Sequence, residues 1–279
     1  MSISDKLALI AENELKVYNA GYEKGKAEGG DTEAAYEQGV ADGKQAEYDA
    51  FWDVYQLNGT RINYQYAFGN SLWKNETFRP KYNIVLGSGY SGTNMFHSCT
   101  VTDLTAALEK QGVILDTSNN GVFTSMFQKA NCKRIPPINL SRSHEYGSSL
   151  SYLFANSTVE TIDKLIVTEN TTFSSTSFQG CASLISVTFE GIIGKNGLNL
   201  QWSTNLSRDS IINVVMHLSD DTSGLSVTLS KAAVDEAFKV LPGEMDGSEV
   251  VEEDAVIGSD SQAWNNLIAS RANWTINLV

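Results

Sequence analysis

The sequence predicts an α/β solenoid, a curved and mostly parallel sheet with helices and turns behind it, preceded by an N-terminal α-helical stem. Three observations predict it. Phe96, Phe127, Phe154 and Phe178 each open a degenerate unit, at intervals of 31, 27 and 24 residues. Apolar residues recur at fixed offsets: Cys132, Ile135, Ile138 and Leu140 after Phe127, and Val159, Ile162, Leu165 and Val167 after Phe154. A shorter unit after Phe178 gives Leu184, Val187 and Phe189. A period of 20–30 residues with one aromatic and a few aliphatics implies stacked units, none of which buries its apolar face alone. Helix-then-strand units alternate with these turn-then-strand units, which is the third observation.

Residues 1–50 form the expected stem. They are polar and carry 11 acidic against 5 basic residues. The string YNAGYEKGK at Tyr18–Lys26 recurs as YEQGVADGK at Tyr36–Lys44, 18 residues later. Eighteen residues make five α-helical turns, so both copies place Tyr and Gly on one face. Tyr18, Gly21, Tyr22, Gly25, Tyr36, Gly39 and Gly43 are therefore the candidates for oligomerisation or attachment. Each glycine lowers helix propensity by about 1 kcal/mol relative to alanine. A partly ordered tether, interrupted at Gly29-Gly30-Asp31, stands beside the helical reading.

Residues 51–82 are dense in aromatics (Phe51, Trp52, Tyr55, Tyr64, Tyr66, Phe68, Trp73, Phe78 and Tyr82) and read as a connector that caps the first unit. Residues 83–242 hold the repeats. Leu104, Ala107 and Leu108 share a helical face that Gly112 ends, and Val113 and Leu115 follow as a strand. Ile211, Val215 and Leu218 repeat that face before Leu225, Val227 and Leu229. Ser230 is placed to N-cap a helix over KAAVDEAFKVL, stopped by Pro242. Residues 243–260 carry 7 acidic and no basic residues and read as a solvated loop. Residues 261–279 close the chain with Trp264, Leu267 and Ile268 on a helix and Trp274, Ile276 and Leu278 on a strand.

Charge narrows the partners. The net charge of −13 sits in the stem and the acidic loop, and the rest is balanced. No basic face is visible to displace counterions from phosphates, so nucleic acid is not an expected partner. No run reaches the roughly 18 apolar residues of a membrane span, and the first residues lack the apolar core of a signal peptide. The Asn-x-Ser/Thr triplets at Asn58, Asn75, Asn156 and Asn170 read as chance in a Ser/Thr/Asn-rich chain. Cys99 and Cys181 both fall three residues after a leading Phe, which marks a small buried position rather than half of a disulfide.

No catalytic constellation stands out. His97, His144 and His217 are far apart and outside any metal spacing such as HExxH. GSGYSG at Gly87–Gly92 lacks the Lys-Ser/Thr of a phosphate loop and reads as a surface turn. Asp246, Glu252, Glu253, Asp254 and Asp260 could bind calcium. They lack the spacing of a calcium loop, and the solvated run is the preferred reading. The expectation is no cofactor, no metal and no enzymatic activity.

The string SFQGCASLISVTFEG at Ser177–Gly191 resembles the BspA-type leucine-rich repeat of bacterial surface proteins. Its marks are an aromatic, a Gly/Cys turn and a Ser-Leu-x-x-hydrophobic-x-hydrophobic strand. MFQKANCKRIPPINLS and LFANSTVETIDKLIVT are weaker copies, and the match spans roughly Met95–Gly191. The layout, with Glu47–Phe68 as connector, is similar to leucine-rich-repeat proteins encoded among tail genes of phages and prophages of gut Firmicutes. The resemblance implies a non-enzymatic virion component that assembles in the host cytoplasm and leaves by lysis. Its stem would join other tail proteins, with a trimer as the expected assembly, and its repeats would touch a bacterial surface glycan or protein. Tyr90, Tyr146 and Trp202 are the candidate aromatic planes for a sugar ring. A cell-surface adhesin of the BspA type is the alternative, and a polysaccharide depolymerase a third reading.

Overall fold

The computed structural model describes residues 67–69, 78–89, 92–147, 149–221, 223–252 and 255–279. Two compact units divide the chain, Met1–Thr60 with Arg79–Tyr82, and Arg61–Phe78 with Asn83–Val279. Only Arg79–Tyr82 of the first unit are described, and every described strand and helix belongs to the second. The expected stem, with Tyr18, Gly21, Tyr22, Gly25, Tyr36, Gly39 and Gly43, lies outside the described residues.

The described residues of the second unit are mixed α/β, with parallel sheets, few helices and no closed barrel among them. Its strands are β1 (Ile84–Val85), β2 (Leu115–Asp116), β3 (Arg134–Ile135), β4 (Ile138–Asn139), β5 (Thr161–Ile166), β6 (Ser186–Glu190), β7 (Asn199–Leu200), β8 (Leu225–Leu229), β9 (Met245–Asp246), β10 (Glu249–Val250) and β11 (Trp274–Leu278). Its helices are α1 (Leu104–Gln111), α2 (Arg208–Met216), α3 (Lys231–Ala237) and α4 (Gln262–Ala269). The sequence suggests one continuous sheet, whereas the described residues form three separate parallel sheets. These are β1-β2, a four-stranded sheet of β3, β4, β5 and β6, and β11-β8-β7. Among the described residues no helix is long and apolar enough to cross a membrane.

The leading phenylalanines form one column of fully buried rings. Phe96 and Phe127 stack with centroids 5.1 Å apart and Phe127 and Phe154 at 5.6 Å, while Phe154 and Phe178 pack at 5.2 Å with their planes tilted by 30°. Phe68 extends the column, 5.1 Å from Phe96, with Phe78 edge-on against it at 5.3 Å. Among the described residues the column thus begins one ring earlier than the sequence suggests. Backbone bonds run beside the rings. The N–H groups of Phe68, Phe96, Phe127 and Phe154 donate to the carbonyls of Met95, Met126, Leu153 and Ser177 at 2.8–2.9 Å. Each acceptor directly precedes the next Phe in the column. These turns need left-handed backbone, supplied two residues either side of the ring by Asn94 and Ser98, Ser125 and Lys129, and Tyr152 and Asn156, all near φ +55°. Non-glycine residues carry that strain only where surrounding contacts over-determine it.

Three residues after each ring stand Cys99, Ala130, Ser157 and Cys181, all buried. The Cys181 thiol donates to the Phe154 carbonyl at 2.9 Å. Burial pushes the thiols of Cys99 and Cys181 up to about 11, and raises that of Cys132 as well. The neutral thiol is the favoured form, so the associated stability is complete below the ordinary thiol range near 9 and declines as pH rises toward about 11. We expect no thiol to react with Ellman's reagent at pH 8 in the native protein and all three to react in denaturant. A thiol that titrates quickly in the native state would contradict this burial.

The four-stranded sheet keeps the register that the offsets predict. Ile135, Ile162 and Val187 align in one inward row, and Ile138, Leu165 and Phe189 in another. One residue more separates the two rows on β5 than on β6, producing a bulge between Ile162 and Leu165. Pro136 and Pro137 occupy the same interval between β3 and β4, where they interrupt the strand, as prolines do at bulges. The residue missing from β6 falls in the contracted unit that follows Phe178.

Helices flank that sheet. α1 packs on β3 and α2 on β6. The carbonyls of Cys99 and Thr102 accept from Asn131 and Lys133 at 2.8 and 2.6 Å, so α1 starts where a neighbouring strand would run. At the other edge, the Ser210 hydroxyl accepts the Val187 N–H at 3.0 Å and Asn213 Oδ1 accepts the Phe189 N–H at 2.6 Å. Two side chains of α2 thereby stand in for a strand and cover the exposed edge of β6. Asn213→Ala is expected to leave the Phe189 N–H unpaired and to lower stability by about 1–3 kcal/mol, read from urea unfolding. Asn213→Asp, which keeps an acceptor, should lose much less. Equal midpoints for N213A and the parent would remove this role.

Oxygen-bearing N-caps begin all four described helices. The side chains of Asp103, Ser207, Ser230 and Ser261 accept the N–H groups of Ala106, Ser210, Ala233 and Trp264. α3 ends at Ala237, short of the expected Pro242, because Phe238 turns in to pack 5.2 Å from Trp264 and Val240 bridges to Ile257. The expected acidic loop contains a hairpin, β9–β10, turned at Gly247 (φ +67°). Asp246 holds it to α4 by accepting the Gln262 N–H at 2.8 and 2.9 Å.

Candidate binding surface

Side chains that do not point into the core emerge from the four-stranded sheet between α1 and α2. Arg134, Thr161 and Ser186 share one register row, and Asn139, Ile166 and Glu190 another. Neighbouring strands lie about 4.8 Å apart, so each row offers groups at regular spacing. Opposite charges meet across the strands. Lys133 pairs with Glu160 at 2.8 Å, Arg134 Nε donates to Asp163 at 2.8 Å, and Lys164 pairs with Glu190. Asp163 sits in the bulge of β5 and also accepts from the Thr105 hydroxyl at 2.9 Å, which ties α1 to the sheet face. Its hydrogen-bonded carboxylate raises the Arg134 guanidinium above its ordinary range.

Such pairs contribute little to stability, about 0–1 kcal/mol each, because both members reach solvent. Their chemical value is a face of hydrogen-bond donors and acceptors already held in place. The sequence reading did not nominate these residues. The signal is present in the spacing, since each ion pair joins residues about one repeat apart, at positions 133 and 160, 134 and 163, and 164 and 190.

The aromatic candidates separate. Tyr90 lies outside the described residues. Tyr146 is half-buried, and its ring lies against Gly121, where an added Cβ would meet Tyr146 Cε2 at 2.1 Å. One face of that ring is therefore committed to packing. Trp202 follows β7 and is 44% exposed, which leaves its indole accessible to a planar ligand. Tyr152, which the sequence reading did not single out, is 41% exposed at a left-handed position of the turn column.

The histidines remain apart. His144 and His217 hold the backbone carbonyls of Ser141 and Asn213 through Nδ1, at 2.9 and 2.8 Å. His97 Nδ1 lies 3.0 Å from the Ser98 hydroxyl, and burial, helped by the Lys129 charge, lowers its pKa. Among the described residues no group of three His, Cys, Asp or Glu side chains is arranged to hold a metal ion. The four-stranded sheet offers hydrogen-bonding groups, and Trp202, after a strand of a different sheet, offers a separate aromatic plane. Comparison with protein-family models, curated proteins and solved structures finds no match to this chain.

Proposed function

We propose that this chain is a non-enzymatic binding protein of a phage virion, associated with the tail, whose repeats form a BspA-like leucine-rich-repeat solenoid that contacts a bacterial surface glycan or protein. The observation that carries the solenoid reading is the column in which each ring packs on the next and each leading N–H donates to the residue before the next ring. Repetition of that unit makes a rigid scaffold, and variable polar side chains on such a scaffold favour binding. The virion assignment rests on the resemblance of the sequence to tail-region proteins. In that reading the polar N-terminal segment joins neighbouring tail proteins, with Tyr18, Gly21, Tyr22, Gly25, Tyr36, Gly39 and Gly43 on its contact face, and assembles as a trimer.

Trp202 is the residue we assign to the ligand. The test is binding of the purified fluorescent protein to Gram-positive gut bacteria, either intact, protease-treated or stripped of wall polysaccharide. Trp202→Ala should weaken binding by about tenfold, in the range of an aromatic anchor, with an unchanged melting temperature because the side chain is exposed. Binding that is absent from every cell preparation, or equal in W202A and the parent, would reject the assignment. Proteomics of purified particles tests the virion location separately.

A further inference from the structure

The outer edge of β11 carries the pattern of a strand that pairs with a second copy of itself. β11 joins β8 on one side only, and among the described residues no strand lies beyond it. The parity of its backbone groups follows from its bonds. Val279 N–H donates to the Leu229 carbonyl, the Val279 carbonyl accepts from Lys231, and the Asn273 carbonyl accepts from Gly224. Odd-numbered residues therefore face β8, and the N–H and C=O groups of Ile276 and Leu278, with the Trp274 carbonyl, point away from the sheet. The Trp274 N–H is taken up by the Arg271 carbonyl.

Side chains follow the same parity. Trp274 is buried, Ile276 and Leu278 are half-buried, and Thr275 and Asn277 are exposed. Read about Ile276, the order apolar-polar-apolar-polar-apolar is the same in both directions. In an antiparallel pair centred there, Ile276 meets Ile276, Trp274 meets Leu278, and Thr275 meets Asn277. Ile276 of each copy would exchange N–H and C=O with Ile276 of the other, and Leu278 N–H would donate to the other copy's Trp274 carbonyl. The outward backbone groups and the matching side chains select the same register, which a one-residue slip would destroy. β11 also has no lysine, proline or other charge that would keep an edge single, whereas the edge of β6 is covered by Ser210 and Asn213.

We propose that two copies of this chain associate about a two-fold axis at Ile276 by antiparallel pairing of β11, independently of any assembly made by the N-terminal segment. Thr275 and Asn277 are exposed, so they can be changed without disturbing the fold. In the full-length protein, Thr275→Lys with Asn277→Lys sets lysine opposite lysine twice across the axis. Its dissociation constant should rise about tenfold or more, and its sedimentation mass should halve at concentrations where the parent is paired. Thr275→Lys with Asn277→Glu sets opposite charges in those positions and should restore the parental mass. Ile276→Cys should cross-link to itself under mild oxidation, since facing residues of a hydrogen-bonded antiparallel pair lie about 5.5 Å apart, within disulfide range. The native cysteines are buried and do not compete. The proposal is overturned if parent and double-lysine protein have the same mass, as they would if residues outside the described segments cover β11. Failure of the Lys/Glu variant to restore the mass, or of I276C to cross-link, overturns it equally.

Discussion

Phe127→Ala is expected to lower the free energy of unfolding by about 3–5 kcal/mol, a large part of the margin of a domain this size. The ring is fully buried between Phe96 and Phe154, with centroid distances of 5.1 and 5.6 Å. Its removal deletes two stacking contacts, worth about 0.5–1.5 kcal/mol each beyond burial, and leaves a cavity in the middle of the column. The surrounding turns have little freedom to collapse into it. Phe96, Phe127 and Phe154 are tied in sequence by their N–H bonds, and the left-handed residues beside them fix the turn path. Phe127→Leu, which refills part of the volume, should recover roughly half of the loss. Urea unfolding followed by circular dichroism measures both. A change under about 1 kcal/mol for F127A would show that the ring column does not hold the fold together.

Gly197→Ala is expected to be similarly damaging, by about 2–5 kcal/mol, through a different mechanism. Gly197 has φ +109°, a region nearly closed to side chains, and an added Cβ would lie 2.0 Å from the Phe173 carbonyl oxygen. That neighbour is backbone and cannot swing aside, so both the strain and the overlap must be met by moving the chain before β7 away from the Phe173 segment. Gly224→Ala is the control. It also has positive φ, +76°, but nothing lies within 4 Å of its added Cβ, so only the conformational part, about 1 kcal/mol, should appear. A G197A protein no less stable than G224A would contradict the close approach of the two segments.

The parts of the fold legible in the sequence are those where one side chain repeats a fixed environment. The leading phenylalanines, the aliphatic rows of β3–β6 and the small residue three positions after each ring could be aligned by eye because each must fit against its own counterpart. The faces of α1, α2 and α4 were legible for the same reason. Phe68 was hidden because Gly69–Met95 carries no aliphatic rows at the later offsets, so its unit lacks the pattern that surrounds Phe96. The end of α3 was misread because KAAVDEAFKVL keeps helical periodicity past Ala237, and only Trp264, near in space but distant in sequence, draws Phe238 out of it. The hairpin was written in Gly247-Ser248, the two-residue turn between the paired Asp246 and Glu249, but lay inside a run whose charge dominated the reading. Ser210 and Asn213 offered no signal at all, since polar residues on a helix ordinarily face water. The surface face fared similarly. Its ion pairs are spaced by the repeat, yet charges scattered over three strands look unrelated until the strands are set side by side.

Amide hydrogen exchange of the parent and of Phe127→Ala tests the stacked column most directly. If neighbouring units depend on one another, the alanine variant should lose protection together at the Phe96, Phe127 and Phe154 amides, whose acceptors lie in the adjoining units, while the β8–β11 amides change less. Loss confined to Phe127 and its immediate chain neighbours, with Phe96 and Phe154 as protected as before, would contradict a column of mutually supporting rings.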